Sequence, residues 1–273
     1  HTPLMKLLGT LAGVEDLELP EKVLVGLPIV GEADVSPFFF EFIVPATISV
    51  EELMNNSVNP VKRIEDKIRL NARMATDELL QAVTDKTQKE VRLNQMSEPM
   101  TKQQVNEKFG NIWNGVQRYG IKQGFEEDGT AKYRCIDNHL DNDNNSAAGR
   151  RQQVHMTSVS YIMLMARAVH KKSACQGPPA KLLGATEDLK AAYRQMPLAS
   201  DQVKFSITLV WNCYSKQIDY HEIWGQPFGA AHAVPNFYRL ATWALRVSRR
   251  LLHLVADHFL SLIHISEPTR RSA

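Results

Sequence analysis

The chain has 273 residues, 44% of them apolar and 23% charged, a globular composition long enough to bury a core or to form two sub-domains. No run approaches the ~18 consecutive apolar residues of a membrane span. The three cysteines, Cys135, Cys175 and Cys213, stand far apart with no C-x-x-C pair, which excludes a zinc ribbon and a disulfide framework and points to a reducing compartment. The net charge of +2 conceals a division: residues 1–149 carry 16 Lys and Arg against 23 Asp and Glu, and residues 150–273 carry 16 against 7. A basic half suits a surface for polyanions, and equally a solvated face. The chain begins at His1 with no signal-peptide pattern, so it reads as an internal piece of a longer intracellular protein.

Residues 1–60, with Pro20, Pro28, Pro37, Pro45 and Pro60, predict short strands and turns with little helix. Residues 61–93 predict helix, because Ile64, Ile68, Ala72, Ala75, Leu79, Leu80 and Val83 recur at near-helical spacing among charges. Thr101 is placed to cap a short helix running to Phe109. Residues 118–125 and 132–137 read as two strands of a hairpin turning through Glu126-Glu127-Asp128-Gly129. A polar loop follows over 141–149. Ser158 is placed to cap a helix with the apolar stripe Val159, Ile162, Met163, Ala166 and Val169, and Gly177-Pro178-Pro179 ends it. Residues 182–189 predict a buried strand ending in Glu187 and Asp188. Residues 205–211 and 217–224 predict a second hairpin, 230–252 a helix carrying Arg239, Arg246, Arg249 and Arg250, and 253–259 the start of another strand. Strands and helices mixed in this way indicate an α+β fold.

Several motifs fail on inspection. Asp141-x-Asp143-x-Asn145 begins like a calcium loop, but Ser146 stands where the turn glycine belongs and Gln152 where the bidentate glutamate belongs. No G-x-x-x-x-G-K-[ST], G-x-G-x-x-G or G-x-S-x-G occurs, and the nine histidines show no H-E-x-x-H spacing.

Three other stretches, in order, resemble the fingers and palm of reverse transcriptases. Lys132-Tyr133-Arg134-Cys135-Ile136-Asp137 is similar to the fingers hairpin whose arginine contacts the incoming triphosphate. Glu187-Asp188-Leu189-Lys190-Ala191-Ala192-Tyr193-Arg194-Gln195-Met196-Pro197-Leu198 resembles the family's motif A, a strand-end aspartate followed five residues later by an aromatic. Pro227-Phe228-Gly229-Ala230-Ala231-His232-Ala233-Val234-Pro235-Asn236-Phe237 resembles the motif B loop, with Gly229 and Phe237 at the family's separation and the proline one place late.

The resemblance implies an RNA-directed DNA polymerase, a nucleotidyltransferase of retrotransposon type, that adds dNTPs to a DNA or RNA primer on an RNA template. Two Mg²⁺ about 3.5–4 Å apart would stabilise the attacking and leaving oxygens. Asp188 would be the catalytic carboxylate and a metal ligand, with the Leu189 carbonyl beside it. Arg134 and Lys132 would hold the triphosphate, Tyr193 would block a ribose 2′-hydroxyl, and Pro227, Phe228, Gly229 and Phe237 would line the template–primer pair. Tyr193 argues against an RNA-templated RNA polymerase, which must admit that hydroxyl.

The resemblance covers roughly residues 111–259, implying an α+β fold with an incomplete fingers and palm, an antiparallel palm sheet backed by helices and no thumb, and leaves 1–110 without an assigned role. The family's remaining metal ligands lie in a [YF]-x-D-D after the motif B helix. Residues 251–259 reach that position with a single Asp257, and no Asp-Asp pair occurs anywhere in the sequence. The string Leu260-Ser261-Leu262-Ile263-His264-Ile265-Ser266-Glu267-Pro268-Thr269-Arg270 is similar to the translation of a transposase-type sequencing adapter, so residues 260–273 are expected to be a non-native tail. The chain by itself is therefore expected to be inactive. Two alternatives stay open: a catalytically dead polymerase-like fold kept for nucleic-acid binding or as a scaffold, and an unrelated α+β domain.

Overall fold

The computed structural model describes residues 1–125, 128–155, 159–175, 189, 192–253 and 257. Its first 60 residues hold more helix than their prolines suggested: α1 (Thr2–Leu11), α2 (Leu19–Val25) and α3 (Val50–Asn55), with two short strands between, β1 (Gly31–Glu32) and β2 (Phe40–Val44). Pro3 and Pro20 sit in the first turns of α1 and α2. A first-turn N–H has no intrahelical partner to lose, so proline starts these helices. Ser49 opens α3 with a capping box to Glu52.

The helical stretch after residue 57 divides into α4 (Val58–Met74) and α5 (Asp77–Arg92). Ala75 and Thr76 are extended, and the Thr76 side chain accepts from the Leu79 N–H, so α5 starts afresh with Asp77 and Glu78 at its positive end. α4 buries Val61, Ile64 and Ile68, and α5 buries Val83, Thr84 and Thr87. α6 (Lys102–Phe109) begins where expected, with a capping box of Thr101 and Gln104.

The predicted hairpin is β3 (Gly115–Phe125) and β4 (Ala131–Asn138), antiparallel with Arg118 opposite Asp137. A short strand outside the sequence prediction, β5 (Ala148–Gln153), follows the polar loop, and α7 (Val159–Ala174) follows it. Tyr161, Ile162, Met163 and Leu164 of α7 are exposed, so the predicted apolar stripe is not buried there. Ser158 lies outside the described residues, as does the predicted strand over 182–189 except for the exposed Leu189. The second hairpin is β6 (Ile207–Asn212) and β7 (Gln217–His221), and α8 (Ala233–Leu251) is the last helix of the described chain.

The larger sheet has the order β4-β3-β6-β7 and is mixed rather than the antiparallel palm sheet the resemblance implied: both hairpins run antiparallel, but β3 and β6 run parallel because a long connection, not a hairpin, joins them. In the smaller sheet, β5 lies between β1 and β2. α4 and α5 lie against β3 and β6. The main core draws Leu27, Ile64, Val105, Met196, Leu209 and Phe237 together, so residues before and after 110 share it. A second cluster joins Ala12, Val14 and Leu19 to Trp243 and Val247 of α8. The architecture is α+β. Among the described residues no helix is long and apolar enough to cross a membrane.

Candidate functional site

A buried ion network fixes the ground on which the site stands. The Arg118 guanidinium on β3 donates to both oxygens of Asp137 on β4, at 2.7 and 3.0 Å, and reaches Glu90 of α5 at 3.1 Å. Arg194, in the 3-10 turn Ala192–Gln195, donates to Asp137 at 2.8 Å and lies 3.3 Å from Glu90. Burial would raise the Asp137 carboxyl, but the charges of Arg118 and Arg194 outweigh it and hold the group well below the usual carboxylate range. Two cations and two anions thus tie the turn after Asp188 to the hairpin of β3 and β4.

The chain then locks this turn to the segment before α8. Met196 O accepts from Gln226 N at 2.8 Å, and Leu198 N donates to Trp224 O at 2.7 Å. Gly225 is required at the crossing, since a Cβ there would lie 2.4 Å from the Arg194 carbonyl oxygen. Gly229 (φ 92°) is the next close approach, where a Cβ would meet the Asp137 carbonyl oxygen at 2.6 Å. Asn145 clamps this loop from the other side: its amide donates to Gly229 O at 2.9 Å and accepts from Ala231 N at 2.8 Å. The late Pro235 falls in the first turn of α8, where it removes no helical bond.

These constraints bring three separated segments into one cluster. The Tyr193 ring is buried, 2% exposed, with its face or edge against Phe228 at 4.7 Å and Phe237 at 5.3 Å, both near-perpendicular. The Arg134 guanidinium lies over the Phe228 ring, 5.5 Å from its centroid. Burial pushes the Tyr193 phenol up to about 12, with the Arg134 charge acting in the opposite sense. Pro227 is buried beneath the loop and Gly229 is exposed at its tip.

Of the residues singled out from sequence, Arg134, Tyr193, Phe228 and Phe237 come into ring or cation–π contact, and Gly229 packs on β4 beside them. Lys132 is exposed two residues from Arg134 on β4, and Leu189 is 49% exposed. Asp188 lies outside the described residues. Among the described residues no three His, Cys, Asp or Glu side chains stand together to hold a metal, and the carboxylate of Asp137, whose backbone carbonyl the loop approaches, is engaged by two arginines.

The sequence reading missed the supporting residues. Arg118, Asp137 and Arg194 are a charge network, and the cross-strand pairing of Arg118 with Asp137 was the signal available for it. Asn145 appeared only in a rejected calcium loop. His139 was also missed: it is 1% exposed, its Nδ1 accepts from Asn144 at 3.1 Å, and burial lowers its pKa to about 4. Asn144 in turn donates to Phe205 O at 2.7 Å, and Asn114 donates to Asn144 at 2.9 Å, so a buried polar knot shapes the loop that carries Asn145.

No protein-family model matches this chain, and no curated protein is similar to it at a significant level.

Proposed function

We propose that this chain is part of an RNA-directed DNA polymerase of the reverse transcriptase family, of retrotransposon type, with the larger sheet and its helices as an incomplete palm and fingers. The observation that carries the reading is the meeting of Arg134, Tyr193, Phe228, Gly229 and Phe237 from three separated segments. The family resemblance marks Arg134 and Tyr193 for the incoming dNTP and Phe228, Gly229 and Phe237 for the template–primer pair beside it.

In this reading Arg134 and Lys132 bind the triphosphate through charge-assisted hydrogen bonds. The Gly229 tip meets the template–primer base pair, held at its height by Asn145 and the Asp137 carbonyl. Tyr193 blocks a ribose 2′-hydroxyl, with Phe228 and Phe237 packed on its ring. In the intact enzyme Mg²⁺ would supply the stabilisation of the reacting oxygens, held by Asp188, the Leu189 carbonyl and the carboxylates of a [YF]-x-D-D that this sequence does not contain. The same missing pair favours a second reading for the chain by itself: a polymerase-like fold that binds nucleic acid without catalysis.

One measurement separates them. The source nucleic acid is sequenced across the codon for Phe259. A [YF]-x-D-D within a few codons supports the polymerase, and a genuine continuation into Leu-Ser-Leu-Ile-His refutes it in favour of the binding protein. The chain as it stands is expected to extend no primer with Mg²⁺ or Mn²⁺, and Asp188-dependent incorporation of dNTPs would overturn that expectation.

A further inference from the structure

A cleft of about 540 Å³, built by none of the residues of the Phe228 cluster, is unusual in its charge. Arg69 and Arg73 line it from α4, Lys102 from the start of α6, and Trp211, Lys216 and Tyr220 from the hairpin of β6 and β7. Four cations border the space and no carboxylate does. Glu65, 6% exposed, stands behind the wall: it accepts from Tyr220 at 2.9 Å, pairs with Lys102 at 2.7 Å and lies 3.9 Å from Arg69. Arg69 also meets Asp66 at 3.1 Å. These contacts set Lys102 and Arg69 in place and offset part of their charge. Arg73 and Lys216 make no ion pair among the described residues, so the cleft keeps a positive excess at its mouth. Trp211, half-buried, adds a flat apolar ring to the same wall.

We propose that this cleft is a second site, which takes a mononucleotide, with the phosphate between Arg73 and Lys216 and the base on Trp211. Its volume lies in the range of small-molecule sites. Cations without carboxylate partners favour a phosphate, and an indole beside them favours a planar base. The site goes beyond the polymerase reading and needs no residue of the nucleotide pocket assigned there.

The test is a titration of the full chain with adenosine monophosphate, followed by tryptophan fluorescence, with adenosine as the phosphate-free control. Saturable quenching is expected, at least tenfold tighter for the monophosphate than for adenosine and weaker as salt rises from about 50 to about 200 mM. Trp211→Phe should abolish the quenching. The exposed pair Arg73→Gln with Lys216→Gln, checked for unchanged circular dichroism, should weaken binding at least tenfold. Quenching that survives Trp211→Phe, equal binding of the two ligands, or affinity within twofold in the charge variant overturns the proposal. So does binding of a single-stranded oligonucleotide without binding of the monophosphate, which would assign the surface to a polynucleotide backbone. Nucleotide binding at the Phe228 cluster would survive both sets of substitutions, so the two sites fail separately.

Discussion

Replacing Asp137 by alanine should be the most damaging single change around the candidate site. The carboxylate is 3% exposed and is the shared partner of Arg118 and Arg194, themselves almost fully buried. Its removal leaves two guanidinium groups facing one remaining anion, Glu90, at 3.1 and 3.3 Å. Breaking a buried pair by deleting one member costs about 3–5 kcal/mol, because the surviving charge stays desolvated. With a urea dependence of about 3 kcal/mol/M for a chain of this size, the unfolding midpoint should fall by about 1–1.7 M. A second variant separates charge from packing. Arg118→Met combined with Asp137→Leu removes one charge of each sign and leaves Arg194 with Glu90, so it should recover at least half of the loss. The Asp137 carboxyl titrates lower in the fold than in the unfolded chain, so its stabilisation is complete above about pH 4 and fades on acidification below that. A midpoint for Asp137→Ala within about 0.3 M of the parent, or a double variant no better than the single one, would refute the account.

Three further expectations follow from the same geometry. Gly229→Ala places a methyl 2.6 Å from the Asp137 carbonyl at a φ of 92°, and should lower stability by about 1–3 kcal/mol and displace the loop, read by urea unfolding and by loss of hydrogen-exchange protection at Ala231. His139, whose pKa is lowered to about 4 by burial, is neutral in the fold while the unfolded histidine protonates near 6.5. The unfolded chain therefore binds more protons between those values, so stability should decline as pH falls from about 6.5 to about 4, and a His139→Gln variant should show a shallower slope over that window. Under the polymerase reading proposed above, Tyr193→Ala in an enzyme completed with a [YF]-x-D-D should raise incorporation of rNTPs relative to dNTPs, and unchanged selectivity would show that Tyr193 does not block the 2′-hydroxyl.

Local signals carried much of the fold. Thr101 and Gln104 announce α6 because a capping box acts within four residues. The strand-like runs on either side of the Asp/Glu/Gly segment 126–129 of the sequence correspond to β3 and β4, and the helix expected over 230–252 corresponds to α8. The first 60 residues misled because proline has two meanings, breaking a helix in its interior and starting one in its first turn, as at Pro20 and Pro60. The motif residues Arg134, Tyr193, Phe228 and Gly229 were visible as types in order. What holds them was not, since Asn145 reaches Gly229 across 84 residues and Arg194 reaches Asp137 across 57. Contacts at such separations leave no periodic trace.

The pairing of Asp16 with Arg239 sets a schedule for folding during synthesis. Asp16 is buried against Arg239, which donates to it at 2.6 and 2.8 Å from 223 residues away. At about 5–20 residues per second, a nascent chain waits about 10–45 seconds between making the acid and making its base. For that interval the cluster of Ala12, Val14 and Leu19 lacks its α8 side, because Trp243 and Val247 arrive with the same helix, and it has neighbours such as Val23 and Phe38 in their place. Holding chaperones should therefore assist the protein's translation, and a ribosome stalled before residue 239 should leave residues 1–25 open to proteases that the folded protein resists.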